Sequence, residues 1–151
     1  MTNSLSHRKK RADVLLVEDN PGDVRLTREA FKEGNIENTL HVVTDGAAAL
    51  DFLYKRNEYA DAPRPDLVLL DLNLPRKNGT EVLEEIKSDP EGCTIPIIVL
   101  TSSKSEDDVV KSYERHANAY LTKPIDPLEF IDVVTTLEEF WISIVRLPET
   151  S

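Results

Sequence analysis

Polar side chains that could bind a cation or act as a nucleophile stand at the ends of apolar segments in this sequence. Asp71 directly follows Leu67 to Leu70, an unbroken apolar run that turn-forming residues bound on both sides. Such a run is typical of a strand that is buried on both faces. Because a carboxylate is costly to bury without a partner, Asp71 indicates chemistry rather than packing. The other candidates of this kind are Glu18, Asp19, Thr101 and Lys123.

The other apolar runs also end in polar groups. The run 12–17 is followed by two acids, the run 95–100 by a hydroxyl, and the run 119–121 shortly by a lysine. Helical patterns alternate with these runs, which predicts a doubly wound α/β fold with a parallel sheet and helices on both faces. We expect five strands and five helices. The predicted strands are 12–17, 39–44, 67–71, 95–100 and 119–121, and the predicted helices run from 21 to about 34, 46 to about 56, 79 to about 88, about 106 to 116, and 127 to 145.

Local signals support several of these boundaries. Asn20 followed by Pro21 is typical of a helix cap and a first helical residue, and Asp45 is placed to cap the second helix. In the first helix, an apolar stripe is expected to face the sheet. Its members are Val24, Leu26, Thr27, Ala30 and Phe31.

The carboxyl ends of parallel strands meet at one edge of a sheet, which is where such folds bind ligands. Three carboxylates held together there repel one another unless a cation joins them, and hard oxygen ligands select Mg²⁺. We therefore expect Glu18, Asp19 and Asp71 to form a magnesium site. Lys123 and Thr101 could then engage phosphate oxygens. Asp71 is placed as a nucleophile toward phosphorus, because a carboxylate can form an acyl phosphate.

Composition excludes several classes of function. A net charge of −10 argues against direct nucleic-acid binding, and the basic run 8–11 is interpreted as a solvated arm. The single cysteine, Cys93, excludes an internal disulfide and a thiolate zinc site. No apolar run reaches the roughly 18 residues that span a bilayer. We expect a cytoplasmic protein with no membrane partner.

At the polar strand ends the sequence resembles the receiver domains of two-component response regulators, over about residues 12 to 145. The motifs that carry the resemblance are specific when taken together. They comprise the Glu18-Asp19 pair, Asp71 with Leu74-Pro75 and Asn78-Gly79, Thr101 after its strand, and Tyr120 three residues before Lys123-Pro124.

The resemblance implies a strand order of 2-1-3-4-5 and a phosphoryl group transferred to Asp71 from a sensor histidine kinase. Asp19 would be a direct Mg²⁺ ligand with help from Glu18, and Asn73 would offer its backbone carbonyl. Thr101 and Lys123 would bind the phosphoryl oxygens. Thr101 and the aromatic residue Tyr120 would form the switch. Such a protein catalyses its own phosphoryl transfer and slow dephosphorylation but is not otherwise an enzyme.

The same resemblance implies a receiver domain at 12–147 between a flexible tail at 1–11 and a short tail at 148–151. Without an output domain, the signal would leave through a protein–protein contact. The segment 88–90, the loop 57–65 and the end 139–148 resemble single-domain regulators paired with phytochrome-type kinases.

Three alternatives compete with this interpretation. A phosphatase of the haloacid dehalogenase type also uses an aspartate after a strand, but it is expected to carry a second acid two residues later, where this chain has Asn73. A flavodoxin-like cofactor binder should offer hydroxyls and amides in its first loop, where Glu18-Asp19 would repel a phosphate. A degenerate receiver would serve only as a binding module, but every expected phosphorylation residue is present.

The last predicted helix is apolar over a wider arc than a sheet needs to cover. At about 100° per residue its apolar side chains span roughly 180 to 220°, against about 100° for a one-sided helix. Either the C-terminal residues 146–151 cover the excess, or it meets another protein, and six mostly polar residues are few for the first. We therefore expect an interface, with Phe140 and Trp141 as its aromatic anchors. The arc consists of Phe130, Val133, Val134, Leu137, Phe140, Trp141, Ile142, Ile144 and Val145.

We therefore expect a homodimer, which sedimentation at micromolar concentration tests. Trp141→Glu or Phe140→Glu should weaken the dimer, because a carboxylate would be desolvated in the contact. A wild-type chain that stays monomeric with and without phosphorylation would contradict the dimer and leave a different partner protein for the apolar arc.

Overall fold

A computed structural model describes residues 12–33, 37–72, 74, 79–90, 92–101, 119–123 and 126–135. Within these ranges the chain forms five strands and four α-helices. The strands are β1 (Ala12–Val17), β2 (Asn38–Val43), β3 (Leu67–Asp71), β4 (Ile97–Thr101) and β5 (Ala119–Thr122). The helices are α1 (Pro21–Glu33), α2 (Gly46–Leu53), α3 (Gly79–Ser88) and α4 (Pro127–Thr135).

Several predictions fall outside the described residues. These are the helix predicted at 106–116, the final helix beyond Thr135 with Phe140 and Trp141, Asn73, and the tails at 1–11 and 148–151. In the described part of the chain, no helix has the length and apolar composition needed to cross a membrane.

The five strands pair in the order β2-β1-β3-β4-β5, and every pairing is parallel. This confirms the predicted doubly wound sheet and its strand order. The three central strands are almost wholly buried, which explains their continuous apolar sequences. From β1 the chain first adds β2 on one side and then β3 on the other, so the order reverses between β1 and β3. Ligands of such sheets bind outside the strand ends at this reversal.

Side chains alternate between the two faces of the sheet and build two separate cores. On the first face, Leu16, Leu69 and Leu121 belong to the cluster that includes Phe31 of α1 and Phe130 of α4. On the second face, a larger cluster contains Val17, Leu70 and Val99 with Val82, Leu83 and Ile86 of α3 and Leu50 of α2. Right-handed crossovers explain this division, because connections that run in opposite directions along the sheet place their helices on opposite faces.

The starts of α1 and α2 follow the predicted caps. The Asn20 Oδ1 accepts a hydrogen bond from the Asp23 amide at 3.1 Å, and the Asp45 Oδ1 accepts one from the Ala48 amide at 2.8 Å. Each bond satisfies an amide that has no partner within its own helix.

The end of α2 differs from the prediction, since the helix stops at Leu53 rather than near Arg56. Lys55 has a φ of 56°, and its amide donates to the Phe52 carbonyl at 3.3 Å while the Arg56 amide donates to the Asp51 carbonyl at 2.8 Å. These two bonds form a Schellman motif. The usual glycine is absent from the left-handed position, so the sequence carried no stop signal there.

One member of the predicted stripe of α1 is not part of the core. Thr27, Ala30 and Phe31 are buried, but Leu26 is 39% exposed. Leu26 therefore lies at the edge of the stripe, where α1 no longer contacts the sheet.

The ring pair between α1 and α4 supplies a stability prediction. Phe130 is fully buried, and its ring meets that of Phe31 edge to face with centroids 4.9 Å apart. Phe130→Ala should cost about 3–5 kcal/mol of unfolding free energy, because it leaves a cavity under α4. Urea denaturation measures this loss as a lower midpoint.

Leu128→Ala is the matched control on the same helix. Leu128 is 77% exposed, so its truncation should change stability by less than about 0.5 kcal/mol. Equal losses in the two variants would contradict the packing assigned to α4.

Candidate functional site

Strand alternation directs three polar side chains toward the same face at the carboxyl edge of the sheet. Glu18 continues the series of Val14 and Leu16, and Asp71 continues the series of Leu67 and Leu69, all on the α1/α4 face. Lys123 continues the series of Leu121 on that face in the same way. Helix α1, which begins shortly after β1, packs on this face and closes the side of the site.

The Lys123 ammonium joins these acids. Its Nζ donates to Glu18 Oε1 at 2.9 Å, to Asp23 Oδ2 at 2.9 Å and to Asp71 Oδ2 at 3.2 Å. Glu18 and Asp71 are 1% and 2% exposed, so both carboxylates depend on this partner. The strand end itself is held by the Lys123 amide, which donates to the Thr101 carbonyl at 2.6 Å.

The predicted metal ligands Glu18, Asp19 and Asp71 converge. Each offers a carboxylate oxygen, and these oxygens all lie within 4.8 Å of one another. Asp19 is exposed, while the other two acids are buried. Three hard oxygen donors with one side open to solvent fit a Mg²⁺-sized cation that keeps several waters. Asn73, the fourth predicted ligand, lies outside the described residues.

Thr101 and Tyr120 lie on the two strands at the β5 edge of the sheet. Thr101 is fully buried, and its hydroxyl is 3.5 Å from the Leu121 carbonyl to which it donates. Tyr120 is half-buried against the core of the α2/α3 face and pairs in register with Val99, two residues before Thr101. The pair predicted to form the switch therefore occupies neighbouring strands.

Asp23 is a site residue that the sequence prediction missed. It lies in the first turn of α1, where an acid is expected simply to favour the positive end of the helix dipole. Asp19, four residues earlier, lies before the cap at Asn20 and therefore outside the helix, so helical spacing gave no signal that linked the two acids. The structure shows its carboxylate turned to Lys123.

Gly79 also has a role at the site that its position in a turn did not reveal. A Cβ at this residue would lie 2.4 Å from the Asp71 carbonyl oxygen and 2.6 Å from the Leu72 Cα. The Gly79 amide donates to the Leu72 carbonyl at 3.1 Å. The start of α3 can therefore approach the backbone of Asp71 only because residue 79 has no side chain.

The charges of the site shift two pKa values. Burial, with a smaller contribution from the Asp71 charge, raises the pKa of Glu18 to about 7, although its hydrogen bond with Lys123 opposes the shift. Burial lowers the pKa of Lys123, but its bonds to Glu18 and Asp23 and the charge of Asp71 outweigh this effect and raise it above the ordinary value. Lys123 therefore stays charged, and Glu18 takes up a proton near neutral pH.

Residues 14–135 match the sequence profile of the family described as the response regulator receiver domain. The chain belongs to this family. Response regulator Rcp1 of Synechocystis sp. is 49% identical over 135 residues, which cover 89% of this chain and 92% of Rcp1.

Solved structures give the same result. The Mn²⁺-bound form of response regulator Rcp1 is 48% identical, with a TM-score of 0.72 over 91% of this chain and 99% of that one. The phosphorylated cyanobacterial phytochrome response regulator RcpA is 46% identical, with a TM-score of 0.72 over 92% of this chain and 99% of that one.

Membership establishes the class of chemistry. The chain is a response regulator receiver of two-component signalling, which accepts a phosphoryl group on an aspartate and binds a divalent metal ion. It is not an enzyme in the classical sense of a protein that turns over a separate substrate.

The pKa of Glu18 gives the site a testable pH dependence. Binding of a divalent cation requires the ionised carboxylate, so protonated Glu18 must first lose its proton. With a pKa of about 7, the ionised fraction of Glu18 rises about tenfold between pH 6 and pH 8. The dissociation constant for Mg²⁺ should fall by about the same factor over this interval. Isothermal titration calorimetry at several pH values measures it.

Glu18→Gln is the control, since it removes the titrating group and keeps the size of the side chain. Its Mg²⁺ affinity should be weaker and nearly independent of pH in this range. A wild-type affinity that does not change between pH 6 and pH 8 would contradict the role given to Glu18.

Proposed function

We propose that this receiver takes its phosphoryl group on Asp71, from the phosphohistidine of a sensor histidine kinase and with Mg²⁺ as the metal. The observation that carries the proposal is the placement of Asp71. Its buried carboxylate lies 3.2 Å from the Lys123 ammonium and within 4.8 Å of oxygens from Glu18 and Asp19. A nucleophile, a fixed cation and a set of metal ligands are thus combined at one edge of the sheet.

The proposed transfer forms one bond and breaks one. An oxygen of the Asp71 carboxylate attacks phosphorus, the phosphorus–nitrogen bond of the phosphohistidine breaks, and the imidazole nitrogen keeps the electron pair. In slow self-catalysed dephosphorylation, water attacks the same phosphorus, so that inorganic phosphate leaves and the Asp71 carboxylate is restored.

The surrounding residues stabilise the charge that this transfer brings into the site. Lys123 binds a phosphoryl oxygen through its ammonium, and Thr101 binds another through its hydroxyl. Glu18, Asp19 and Asp71, with the backbone carbonyl of Asn73, would hold a Mg²⁺ ion that offsets the charge of the phosphoryl oxygens.

The phosphorylation signal is proposed to reach a partner protein through the surface at the β5 edge of the sheet. When Thr101 and Lys123 engage the phosphoryl group, the half-buried ring of Tyr120 changes position and alters the surface beside it. A receiver domain at 12–147 that dimerises through Phe140 and Trp141 belongs to the same proposal, which rests on the sequence of the final helix.

The proposed kinase partner is of the phytochrome type, in the cytoplasm, where the ATP that supplies histidine kinases is found. Support comes from the 46% identity to a protein described as a phytochrome response regulator, 99% of which this chain covers.

Phosphorylation from a small donor tests the assignment of Asp71 without the kinase. Acetyl phosphate with Mg²⁺ should add one phosphoryl group to the wild-type protein, and Asp71→Asn should reduce this to background, because an amide is not a nucleophile toward phosphorus. Intact-protein mass spectrometry measures the added mass, and chelation of the metal should prevent it.

Asp61→Asn is the matched control, since Asp61 is an exposed aspartate in the loop that precedes β3. It should be labelled as fully as the wild type. Undiminished labelling of Asp71→Asn would show that another residue accepts the phosphoryl group.

A further inference from the structure

The ammonium of Lys123 has as many carboxylate partners as it has hydrogens to donate. A lysine ammonium carries three donors, and the structure gives it one bond each to Glu18, Asp23 and Asp71. Two of these acids, Glu18 and Asp71, also belong to the cluster that could hold a metal ion. Asp23 does not. The ammonium and a divalent cation therefore share two partners and differ in the third.

The carboxylate of Asp23 does not accept the capping hydrogen bond that its position in the helix would suggest. In a capping box, an acid at the third helical residue reaches back to the backbone amide of the cap residue. Here the Asn20 amide donates to Glu18 Oε2 at 3.1 Å instead, while the Asn20 side chain accepts from the Asp23 amide at 3.1 Å. Glu18 thus takes over half of the capping box, and the Asp23 side chain turns to Lys123.

The backbone of Asp23 is held firmly in this arrangement. Besides its amide bond to Asn20, its carbonyl accepts the hydroxyl of Thr27 at 2.9 Å, and Thr27 is fully buried. The Asp23 carboxylate itself is 25% exposed, so it lies at the border of the site, between the buried acids and solvent.

We propose that Asp23 is a positioning residue that holds the Lys123 ammonium when a divalent cation takes over Glu18 and Asp71. The proposal rests on the metal-dependent function proposed for this site. A cation bound by Glu18, Asp19 and Asp71 repels the nearby ammonium and competes for the same oxygens. Asp23 remains as a partner of Lys123 for which the cation does not compete. The lysine therefore moves only part of the way from Asp71 and stays charged beside it, where it can bind a phosphoryl oxygen.

Asp23 therefore strengthens binding of the metal by drawing away its competitor. Without Asp23, Glu18 and Asp71 are the acids left to the ammonium among the described residues, and a divalent cation must displace it from them at a higher cost. An acid that merely favoured the start of α1 would change the stability of the helix, with no particular link to Lys123.

A double-mutant cycle on the full chain, with Mg²⁺ as the probe, separates the two roles. Asp23→Asn should weaken Mg²⁺ binding about fivefold in the wild-type background, as measured by isothermal titration calorimetry. In the Lys123→Met background the same substitution should change the affinity less than about twofold, because the competing ammonium is gone. Thermal melting checks that each variant is folded.

Glu129→Gln provides the matched control, since Glu129 is the acid in the first turn of α4, which follows the strand end that carries Lys123. It should leave the Mg²⁺ affinity within about twofold of the wild type, as expected for a screened surface charge. Unchanged binding by Asp23→Asn, or an equal loss in both backgrounds, would overturn the role of Asp23 while leaving the phosphoacceptor proposal intact. A wild-type protein that binds no Mg²⁺ would overturn both.

Discussion

The bond network of the Lys123 ammonium is the interaction on which the site depends. Glu18 and Asp71 are 1% and 2% exposed, and two carboxylates buried this deeply at one edge of the sheet need a cation between them. Lys123 provides that cation. In the part of the chain that the structure describes, this one ammonium contacts three acids, and a fourth, Asp19, lies beside two of them, so the acids of this group outnumber its ammonium. Acids whose negative charge is only partly neutralised by the ammonium attract a second cation.

The topology of the sheet makes this network possible. Parallel strands bring the ends of β1, β3 and β5 to one edge, although Glu18 and Lys123 are 105 residues apart in sequence. Strand alternation then points the three side chains at the face that carries α1, and the cap at Asn20 starts α1 early enough to place Asp23 beside them. At β3, the absence of a side chain at Gly79 lets α3 begin against the backbone of Asp71. Asp71 is thus held by the close packing of its backbone against α3 and by the charge of Lys123.

Much of this arrangement could be predicted from the sequence because it follows from local rules. Continuous apolar runs marked the buried strands, and the polar residue after each run marked the edge at which β1, β3, β4 and β5 meet. The cap residues Asn20 and Asp45 began their helices as predicted. The end of α2 was missed because Lys55 adopts a left-handed conformation that is usually marked in the sequence by glycine. The hydrogen bonds that hold this turn are made to carbonyls of the helix that it ends.

Asp23 could not be found by such rules. An acid in the first turn of a helix has a sufficient local explanation in the helix dipole, and the direction in which its side chain turns is decided by Lys123, 100 residues away. A local bond contributed as well, because the Asn20 amide donates to Glu18, two residues earlier, and is therefore not left for Asp23. Sequence patterns indicate how well a residue fits its own helix or strand. The contact of Asp23 with Lys123 instead joins two elements that are distant in sequence.

Glu18 links the start of α1 to the charge of the site, and this link constrains how a metal can enter. Its Oε2 accepts from the Asn20 amide at 3.1 Å and its Oε1 from the Lys123 ammonium at 2.9 Å, so both oxygens already have partners. The longer side chain of glutamate gives Glu18 the reach to serve both, which an aspartate would have to do with one methylene fewer. A cation that takes Glu18 as a ligand must therefore displace or share one of these donors.

The two donors differ in what their release would cost. Releasing the Asn20 amide would deprive it of its acceptor at the start of α1, where the first amides have no partner within the helix. Releasing the ammonium costs less, because Lys123 keeps its bond to Asp23 at 2.9 Å. Entry of the metal is thus coupled to a movement of Lys123 rather than to a change in the helix, and the affinity of the acids for a cation depends on where that lysine can go.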